Sequence, residues 1–328
     1  MNSPNIQAIN AHISGWGSAL PKLCVTNADL KARGIDTDDA WIVQRTGIKQ
    51  RYYVGEGETT STLATAAAAQ ALAKAGLTPA DIGGIIVATT TPDYTFPATA
   101  ALVQAALGVP AGVMAFDVQA VCSGFIYALA VANNFIRANQ AKHILVIGAE
   151  TMSKILDWQD RTTCVLFGDG AGAVVISATT NHVGVISTHL HADGAEHGLL
   201  HTTGGVGTTG FAGCIAMQGR EVFKHAVTRM AEVVDEALVH NNLKANDIDW
   251  LVPHQANERI ILATGEKLGL DPARVVLTVG QHGNTSAASV PLALAYAADQ
   301  GCFKKGQLLL LEAMGAGLTW GAALVRWG

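Results

Sequence analysis

Two segments of the chain are alike: Ala71-Leu-Ala-Lys-Ala-Gly-Leu-Thr-Pro-Ala-Asp-Ile82 and Ala237-Leu-Val-His-Asn-Asn-Leu-Lys-Ala-Asn-Asp-Ile248. Alanine, leucine, aspartate and isoleucine recur in them at a constant offset. Each copy leads into an apolar, strand-like run, residues 84–90 in the first and residues 249–253 in the second. The order of helix, strand, special turn, helix and strand continues in both copies, which predicts a duplicated α/β unit.

The period of this repeat is too long for a solenoid. It predicts two similar halves packed together, which we place at residues 1–178 and 179–328. Apolar strands that alternate with helices rich in small residues indicate mostly parallel sheets that are covered on both faces. A site at the junction would be lined by both halves.

The composition is that of a compact globular protein, because 49% of the 328 residues are hydrophobic and 14% are charged. A formal net charge of -5 argues against nucleic acid as a partner. No apolar run approaches the ~20 residues of a membrane-spanning helix. The start Met1-Asn-Ser-Pro-Asn5 lacks a signal-peptide pattern, so we expect a cytoplasmic protein without a membrane partner.

Three polar residues come after strand-like runs. Cys122 follows residues 114–121, His254 follows residues 250–253, and Asn284 comes shortly after residues 275–279. The edge beyond the carboxyl ends of strands is where α/β proteins usually place their chemistry. Cys122 and Asn284 stand equally far before Glu150 and Glu312, which aligns them as equivalent positions of the repeat. The three residues together indicate a nucleophile and two carbonyl-binding groups.

The cysteines lack the short repeated spacings of a zinc site or a disulfide framework, and we interpret all five as thiols: Cys24, Cys122, Cys164, Cys214 and Cys302. A lone cysteine is most often a small buried hydrophobic residue. Cys122 differs because it opens a predicted helix, where unpaired N–H groups favour a thiolate. We therefore expect the pKa of Cys122 to lie below its ordinary value.

Two other motifs were weighed as sites. His189, His191 and Asp193 have metal-capable side chains, but they alternate like one face of a strand, and exposed strand histidines are the simpler interpretation. The run Gly168-Asp-Gly-Ala-Gly172 leads into a strand and not a helix, which argues against a phosphate loop. The glycine-rich residues 204–210 are expected to form a loop. No metal and no redox cofactor is predicted.

Five stretches spread in order over the chain carry a resemblance to a known family: Trp41-Ile-Val-Gln-Arg-Thr-Gly-Ile48, Phe116-Asp-Val118 leading to Cys122-Ser-Gly124, Phe167-Gly-Asp-Gly-Ala-Gly172, Val252-Pro-His-Gln-Ala-Asn257, and Gly283-Asn-Thr-Ser-Ala-Ala-Ser-Val-Pro291. On these motifs the chain resembles the β-ketoacyl-acyl-carrier-protein synthase III family of thiolase-like condensing enzymes. The resemblance implies a five-layer α-β-α-β-α fold, with the nucleophilic cysteine in the first half and the histidine and asparagine in the second.

The resemblance also implies a reaction. A short acyl-CoA, expected to be acetyl-CoA, would condense with malonyl-acyl carrier protein and lose carbon dioxide, which initiates fatty acid synthesis. Cys122 would carry the acyl group, and the backbone N–H groups of Cys122 and Ala316 would bind the oxyanion. His254 and Asn284 would donate to the malonyl thioester carbonyl. Ala316 stands where the family usually has a glycine.

Further substrate contacts follow from the same resemblance. Trp41 and Arg161 would enclose the adenine of CoA, with Arg45 nearby and Gly219 beside the pantetheine arm. Phe96 would reach from the partner subunit of a homodimer into the acyl pocket.

Docking of an acidic carrier protein on this negatively charged chain requires a local basic patch. The basic residues that we expect to form it are Arg220, Lys224, Arg229, Arg259 and Lys267. The simpler interpretation of each is a solvated helix face.

Three alternatives stay open. A specialised condensing or acyl-transfer enzyme of secondary metabolism would use the same scaffold. A Cys-His-Asn thioester hydrolase would release a free acid without forming a carbon–carbon bond. A catalytically silent subunit would only bind acyl carrier protein, which the intact Cys122, His254 and Asn284 argue against.

Overall fold

The computed structural model describes residues 9–328, so the stretch Met1-Asn-Ser-Pro-Asn5 considered above lies outside the described residues. The strands are β1 (Asn10–Ala19), β2 (Leu23–Thr26), β3 (Gln50–Tyr53), β4 (Gly84–Ala88), β5 (Met114–Val118), β6 (His143–Thr151), β7 (Asp169–Thr179), β8 (Gly184–Ala192), β9 (Leu200–Thr202), β10 (Ile215–Met217), β11 (Trp250–Pro253), β12 (Leu308–Gly315) and β13 (Thr319–Arg326). The α-helices are α1 (Asn27–Ala32), α2 (Asp39–Thr46), α3 (Thr60–Ala75), α4 (Thr99–Leu107), α5 (Gly124–Arg137), α6 (Arg161–Cys164), α7 (Gly219–His240), α8 (Glu258–Lys267), α9 (Val279–His282) and α10 (Ser289–Asp299).

Two sheets of equivalent topology form the framework. The first has the order β1-β7-β6-β4-β5, and the second has the order β8-β13-β12-β11. A parallel bridge between Leu251 and Val275 occupies the place beside β11 that β5 occupies beside β4. The duplication predicted from the two similar segments is therefore present in the strand order of both sheets.

Both sheets are mixed, whereas the sequence predicted mostly parallel ones. The parallel pairs join β4 to β5 and β6, and β11 to β12. The pairs β1–β7, β6–β7, β12–β13 and β13–β8 are antiparallel. No long crossover helix separates β12 from β13, and antiparallel neighbours need none.

Three apolar cores hold five layers together, and the middle core packs both faces of the central helices. Helices α3 and α4 pack on the outer face of the first sheet. Helices α5 and α10 lie between the two sheets, and α7 and α8 cover the outer face of the second sheet. The thiolase-like α-β-α-β-α fold is confirmed. The change of sheet occurs between β7 and β8, and the predicted halves at 1–178 and 179–328 stay a prediction.

The two central helices begin in the same way. Each follows a short 3-10 turn, Val121–Ser123 before α5 and Ser286–Ala288 before α10. The first residue of each turn has a positive φ, 47° at Val121 and 50° at Ser286. Non-glycine residues rarely adopt this conformation. Cys122 and Ala287 are the middle residues of these two turns, so Ala287 is the counterpart of Cys122 in the second half.

The predicted equivalence of Cys122 and Asn284 was wrong, since Asn284 precedes its turn. Glu150 and Glu312, from which the spacing was counted, do not occupy equivalent places. Glu150 is next to the last residue of β6, whereas Glu312 lies well inside β12.

Glycines bring the central helix α10 against the first sheet. Gly148 and Gly172 are paired across β6 and β7. A Cβ atom on Gly148 would lie 2.2 Å from the carbonyl oxygen of Ala287, and one on Gly172 would lie 2.5 Å from the backbone nitrogen of Leu292. The turn before α10 is thereby brought to the carboxyl end of β6.

The strand predicted at residues 275–279 is absent; Val275 forms only a bridge, and α9 begins at Val279. The side chain of Gln255 takes the place of a neighbouring strand, because it accepts from the N–H groups of Thr278 and Val279 and donates to the Val276 carbonyl.

Residues 168–172 enter strand β7, and residues 204–210 lie outside helices and regular strands, as predicted. No helix among residues 9–328 is both long and apolar enough to cross a membrane.

Candidate active site

One cavity brings together the cysteine, histidine and asparagine that the sequence singled out. It has a volume of about 120 Å³. Its lining comes from both halves of the chain: Cys122, Leu166, Phe167, Leu200, Met217, Gly219, Val222, Phe223, Ala226, Met230, His254, Ala256, Asn257, Ile260, Asn284, Met314 and Gly315. Polar groups are few, so the cavity suits an apolar acyl chain with a polar reacting end.

Cys122 lies in the turn that follows β5. The N–H and hydroxyl of Ser123 both donate to the Ala120 carbonyl, which closes the turn. Gly315 packs directly against the backbone of Cys122, where a Cβ atom would lie 2.6 Å from the Cys122 nitrogen. A side chain at position 315 would therefore push this turn out of place.

The thiol of Cys122 is not acidic in this state. Only 4% of the residue is exposed, and burial raises its pKa to about 12. An interaction with the Ser286 hydroxyl lowers the pKa, and the charge of Glu150 raises it. Our prediction that the helix terminus lowers the pKa of Cys122 was wrong. In a closed pocket, removal of the thiolate from water raises the pKa by more than the helix terminus lowers it.

His254 follows β11 and is buried. Its backbone N–H donates to the Glu312 carbonyl, and its Nδ1 lies 2.5 Å from the Ser289 hydroxyl oxygen. That oxygen also accepts from the N–H of Gln255. We therefore assign the Ser289 hydrogen to Nδ1, which leaves Nε2 protonated and able to donate. Burial lowers the pKa of His254 to about 4, so the ring is neutral at neutral pH.

Asn284 is oriented by its own turn. Its Oδ1 accepts from the N–H of Ser286 at 2.9 Å, so its amide NH₂ is the part left to donate to a ligand. The backbone of Asn284 is held from the other half, because its N–H donates to the Leu166 carbonyl and its carbonyl accepts from the Gly168 N–H. These contacts fix the asparagine across the junction.

A buried arginine supports the segment that holds Asn284. Arg51 of β3 is completely buried and donates to the Val165 carbonyl at 2.6 Å and to Asn27 Oδ1 at 2.7 Å. Burial lowers its pKa. Arg51, Ser286 and Ser289 were missed as functional residues; both serines lie within the quoted motif 283–291, whereas nothing in the sequence distinguishes Arg51.

The residues predicted to bind the CoA adenine form a stack of their own. The guanidinium of Arg45 lies 4.4 Å from the ring centroid of Trp41, and that of Arg161 lies 5.2 Å from it. Arg161 also donates to the backbone carbonyl and carboxylate of Asp36. An adenine that lies between Trp41 and Arg161 requires that Arg161 move. Gly219 is separate from the stack and lines the cavity.

Two other predicted residues lie outside the cavity lining. Phe96 is 84% exposed. The carbonyl of Ala316 accepts from the Thr319 hydroxyl, and its neighbour Gly315 is the residue that faces the cavity.

The predicted basic residues differ in their surroundings. Arg220 and Arg259 are exposed near the starts of α7 and α8, beside cavity residues Gly219 and Ile260. Lys224 is paired with a neighbouring glutamate on its own helix, and Arg229 contacts both Glu232 and Asp193. Lys267 is exposed at the last residue of α8.

The histidines weighed as metal ligands fasten α7 to β8. His189 Nδ1 lies 3.0 Å from Glu236 Oε1, and His191 Nε2 lies 2.6 Å from Glu236 Oε2. His189 is buried and not exposed as we expected, because α7 covers this face of the sheet. Within residues 9–328, no group of three or more His, Cys, Asp or Glu residues is arranged to hold a metal ion.

Two profiles of one protein family match the two parts of the chain. The family profile of 3-oxoacyl-[acyl-carrier-protein (ACP)] synthase III matches residues 116–194, and the profile of its C-terminal part matches residues 238–327. A relative from Rhizorhabdus wittichii, named beta-ketoacyl-[acyl-carrier-protein] synthase III, is 61% identical over 97% of this chain and 99% of its own length.

Solved structures agree in fold. A 3-oxoacyl-[acyl-carrier-protein] synthase III from Aquifex aeolicus VF5 is 48% identical with a TM-score of 0.92, and the match covers 97% of this chain and 100% of that one. The priming beta-ketosynthase of the R1128 polyketide pathway is 32% identical with a TM-score of 0.92, covering 100% of this chain and 98% of its own. The chain therefore belongs to the 3-oxoacyl-[acyl-carrier-protein] synthase III family and is a condensing acyltransferase.

Proposed function

We propose that this enzyme condenses a short acyl-CoA, acetyl-CoA first among them, with malonyl-acyl carrier protein and so starts fatty acid synthesis. The products are 3-ketoacyl-carrier protein, CoA and carbon dioxide. The observation that carries this proposal is the meeting of Cys122, His254 and Asn284 in one mostly apolar cavity. The names of the relatives supply the ketoacyl product and the carrier.

In the first stage, the sulfur of Cys122 attacks the acyl-CoA thioester and forms an acyl-enzyme. The carbon–sulfur bond to CoA breaks, and CoA leaves as a thiol. The backbone N–H groups of Cys122 and Ala316 are the proposed donors to the oxyanion. The close packing of Gly315 against Cys122 supports this assignment, since it places the two backbone segments side by side.

In the second stage, the malonyl thioester carbonyl accepts from His254 Nε2 and from the Asn284 amide. Carbon dioxide leaves, and the two donors stabilise the enolate that forms. Its carbon attacks the acyl group on Cys122, whose sulfur is released. Hydrogen bonds suffice for thioester and enolate chemistry, so we propose that no resident metal or redox cofactor takes part.

Substrate contacts form the next part of the proposal. The stack of Trp41, Arg45 and Arg161 would receive the CoA adenine, and Gly219 would lie beside pantetheine. Arg220 and Arg259 would contact the acidic carrier, because they flank the cavity on two adjoining helices. Lys224 would take part after release from Glu221.

A homodimer is proposed from two exposed features. Every residue of edge strand β5 is only partly buried, and within residues 9–328 its one strand neighbour is β4. Phe96 is 84% exposed and Tyr94, two residues before it, is 60% exposed, so this segment presents two large aromatic side chains that a second chain could cover. We propose that Phe96 enters the partner's acyl pocket. The cysteines form no disulfide, which is consistent with a reducing compartment such as the cytoplasm.

Intact-protein mass tests the chemistry. Wild type mixed with acetyl-CoA is expected to gain about 42 Da, the acetyl group on a nucleophile, and Cys122→Ala is expected to gain nothing. Added malonyl-carrier protein should discharge the adduct and yield acetoacetyl-carrier protein. Release of free acetate with unmodified carrier would instead identify a thioester hydrolase, and an absent adduct would indicate a different acyl donor.

A further inference from the structure

A buried carboxyl group lies behind the cavity and has no part in the chemistry above. Glu150, near the end of β6, is completely buried. Its Oε2 accepts from the N–H groups of Thr90 and Thr91 and from the hydroxyls of Thr89 and Thr91, at 2.6 to 3.3 Å. Its Oε1 accepts from the Ser286 hydroxyl at 2.9 Å. One oxygen is thus held by fixed donors, and the other faces a hydroxyl that can reverse its role.

Ser286 connects this carboxyl group to the nucleophile. Its hydroxyl donates to Glu150, and the same hydroxyl is near enough to Cys122 to lower the pKa of the thiol. The two turns that carry Cys122 and Ser286 are packed together, and a Cβ atom on Gly124 would lie 3.5 Å from the Cβ of Ala287. Ser286 keeps its φ of 50°, where glycine would be less strained. A serine at this position has a hydroxyl that glycine would lack.

We propose that Ser286 and Glu150 form a proton relay for Cys122, in which Glu150 holds the thiol proton for as long as Cys122 carries an acyl group. This inference rests on the proposed condensation and adds to it the place where one proton is kept between the two stages. Glu150 acts through Ser286 and does not touch the substrate.

The transfers balance over the whole reaction. In the first stage, the Cys122 proton passes to Ser286 while the Ser286 proton passes to Glu150 Oε1, and the thiolate attacks the acyl carbon. The departing CoA thiolate takes a proton from solvent. In the second stage, the enolate carbon displaces the Cys122 sulfur as a thiolate, and the stored proton returns to it from Glu150 through the Ser286 hydroxyl. One solvent proton is consumed per condensation, as the formation of neutral CoA and carbon dioxide from a malonyl carboxylate requires.

The benefit of such a relay is electrostatic. A thiolate formed by losing a proton to water would add a second negative charge beside the buried Glu150 carboxylate, and burying an extra charge is costly. Transfer to Glu150 moves a single negative charge from one buried group to another and creates none. Cys122 and Glu150 then titrate as one coupled pair.

A second buried carboxyl group, Glu312, lies on β12, which packs against the turn of Cys122, and burial raises the pKa of Glu312 to about 8. The influences on Glu150 are burial and hydrogen bonds from Thr90, Thr91, Ser286 and Ala287, with no charged side chain among them. Glu150 is the charged group that acts on Cys122. The ionisable side chain of His254 also lines the cavity, but its own shift has burial as its cause.

The test is the pH dependence of the rate at which iodoacetamide alkylates Cys122. The rate is measured by intact-protein mass, without any substrate present. In wild type, the shared proton makes the rate nearly constant from about pH 6.5 to about pH 8.5. In Glu150→Gln, the thiol must lose its proton to solvent, so the rate should rise about tenfold per pH unit over the same range. Ser286→Gly, which suits the positive φ, should behave like Glu150→Gln.

Glu312→Gln is the matched control, because Glu312 is equally buried but neither of its carboxyl oxygens has a hydrogen-bond partner within residues 9–328. This variant also removes the titration of Glu312 itself, whose pKa of about 8 lies within the tested range. It should keep the flat profile of wild type. If Glu150 acted only through its charge, Glu150→Gln would alkylate faster than wild type at every pH without a change of slope, which would overturn the relay. Equal slopes in all four proteins would do the same. Thermal unfolding verifies that each variant is folded.

The alkylation needs no acyl donor, so it separates the two proposals. If the protein shows the predicted slopes but no acetyl adduct, the result supports the relay and contradicts acetyl-CoA as the substrate. If an acetyl adduct forms but Glu150→Gln does not change the pH profile of alkylation, the result supports the condensation and contradicts the relay.

Discussion

At the residue scale, the properties of the proposed catalytic side chains come from their immediate neighbours. His254 is a suitable donor because Ser289 holds its Nδ1 and burial keeps the ring neutral. Asn284 is a suitable donor because Ser286 occupies its Oδ1. The pairings leave the Nε2–H of His254 and the amide NH₂ of Asn284 for the substrate, and each depends on a serine of the motif 283–291.

Replacement of Ser289 by alanine tests the tautomer of His254. Without the hydroxyl, Nδ1 has no donor and the ring is free to protonate on either nitrogen, so condensation should slow by about tenfold or more. Formation of the acetyl adduct on Cys122 should keep its wild-type rate. Stopped-flow acylation and a condensation assay measure the two stages separately, and Ser289→Thr, which keeps a hydroxyl, is the control. Equal slowing of both stages would show that Ser289 is only structural.

A second residue-scale prediction concerns His282, which is buried and whose pKa burial lowers to about 4. In the unfolded chain this histidine takes up a proton below its ordinary pKa of 6.5, whereas in the folded protein it does not until about pH 4. Its contribution therefore destabilises the fold progressively as the pH falls through this window, by up to about 3 kcal/mol.

The measurement is the free energy of unfolding in urea for wild type and His282→Gln at about pH 7 and about pH 5. The loss of stability on acidification should be smaller in the variant. An equal loss in the two proteins would mean that His282 titrates normally in the folded state. Loss of the ring packing affects both pH values alike and cancels in the difference.

At the scale of elements, the site depends on how closely helices and strands approach each other. Gly148 lets α10 lie on β6, and the resulting contact sets the position of the Ser286–Ala288 turn. Gly148→Ala should cost about 3 kcal/mol or more, because the added methyl group meets a backbone oxygen that cannot move independently. Gly194→Ala is the control, since open space surrounds that position. Similar thermal midpoints for the two variants would contradict this account of the packing.

The starts of α7 and α8 carry the proposed contact with the carrier. Reversal of charge in the double variant Arg220→Glu, Arg259→Glu should raise the KM for malonyl-carrier protein about tenfold at low salt, because a favourable field becomes repulsive. Acylation by acetyl-CoA should be unchanged. The double variant Lys304→Glu, Lys305→Glu, on two exposed residues after α10, changes the net charge by the same amount and is the control. A KM that changes equally in the control would remove these two arginines from the docking surface.

At the scale of the whole molecule, the junction between the halves forms the site, and a second chain is proposed to complete it. Analytical ultracentrifugation should show a dimer at micromolar concentration, because a second chain would cover both edge strand β5 and exposed Phe96. Phe96→Ser should weaken that dimer and slow acylation by acetyl-CoA in proportion to the monomer formed. A fully active monomer would contradict the proposal that Phe96 completes the partner's pocket.

The sequence alone determined the duplication. It also identified Cys122 as the candidate nucleophile and associated it with His254 and Asn284. These features are carried by local patterns: strand-like runs, small-residue helices and short motifs. The same patterns misplaced the strand at 275–279, because the side chain of Gln255, distant in the chain, supplies the hydrogen bonds that a strand neighbour would have supplied.

The tertiary structure decided the chemical state of the site. Burial raises the pKa of Cys122, although its place before a helix predicts the opposite. The contacts of Ser286 with Glu150 and of Arg51 with the segment beside Asn284 join residues that are far apart in the chain. Desolvation and long-range hydrogen bonding depend on which residues meet after folding, and no local pattern of residues contains that information.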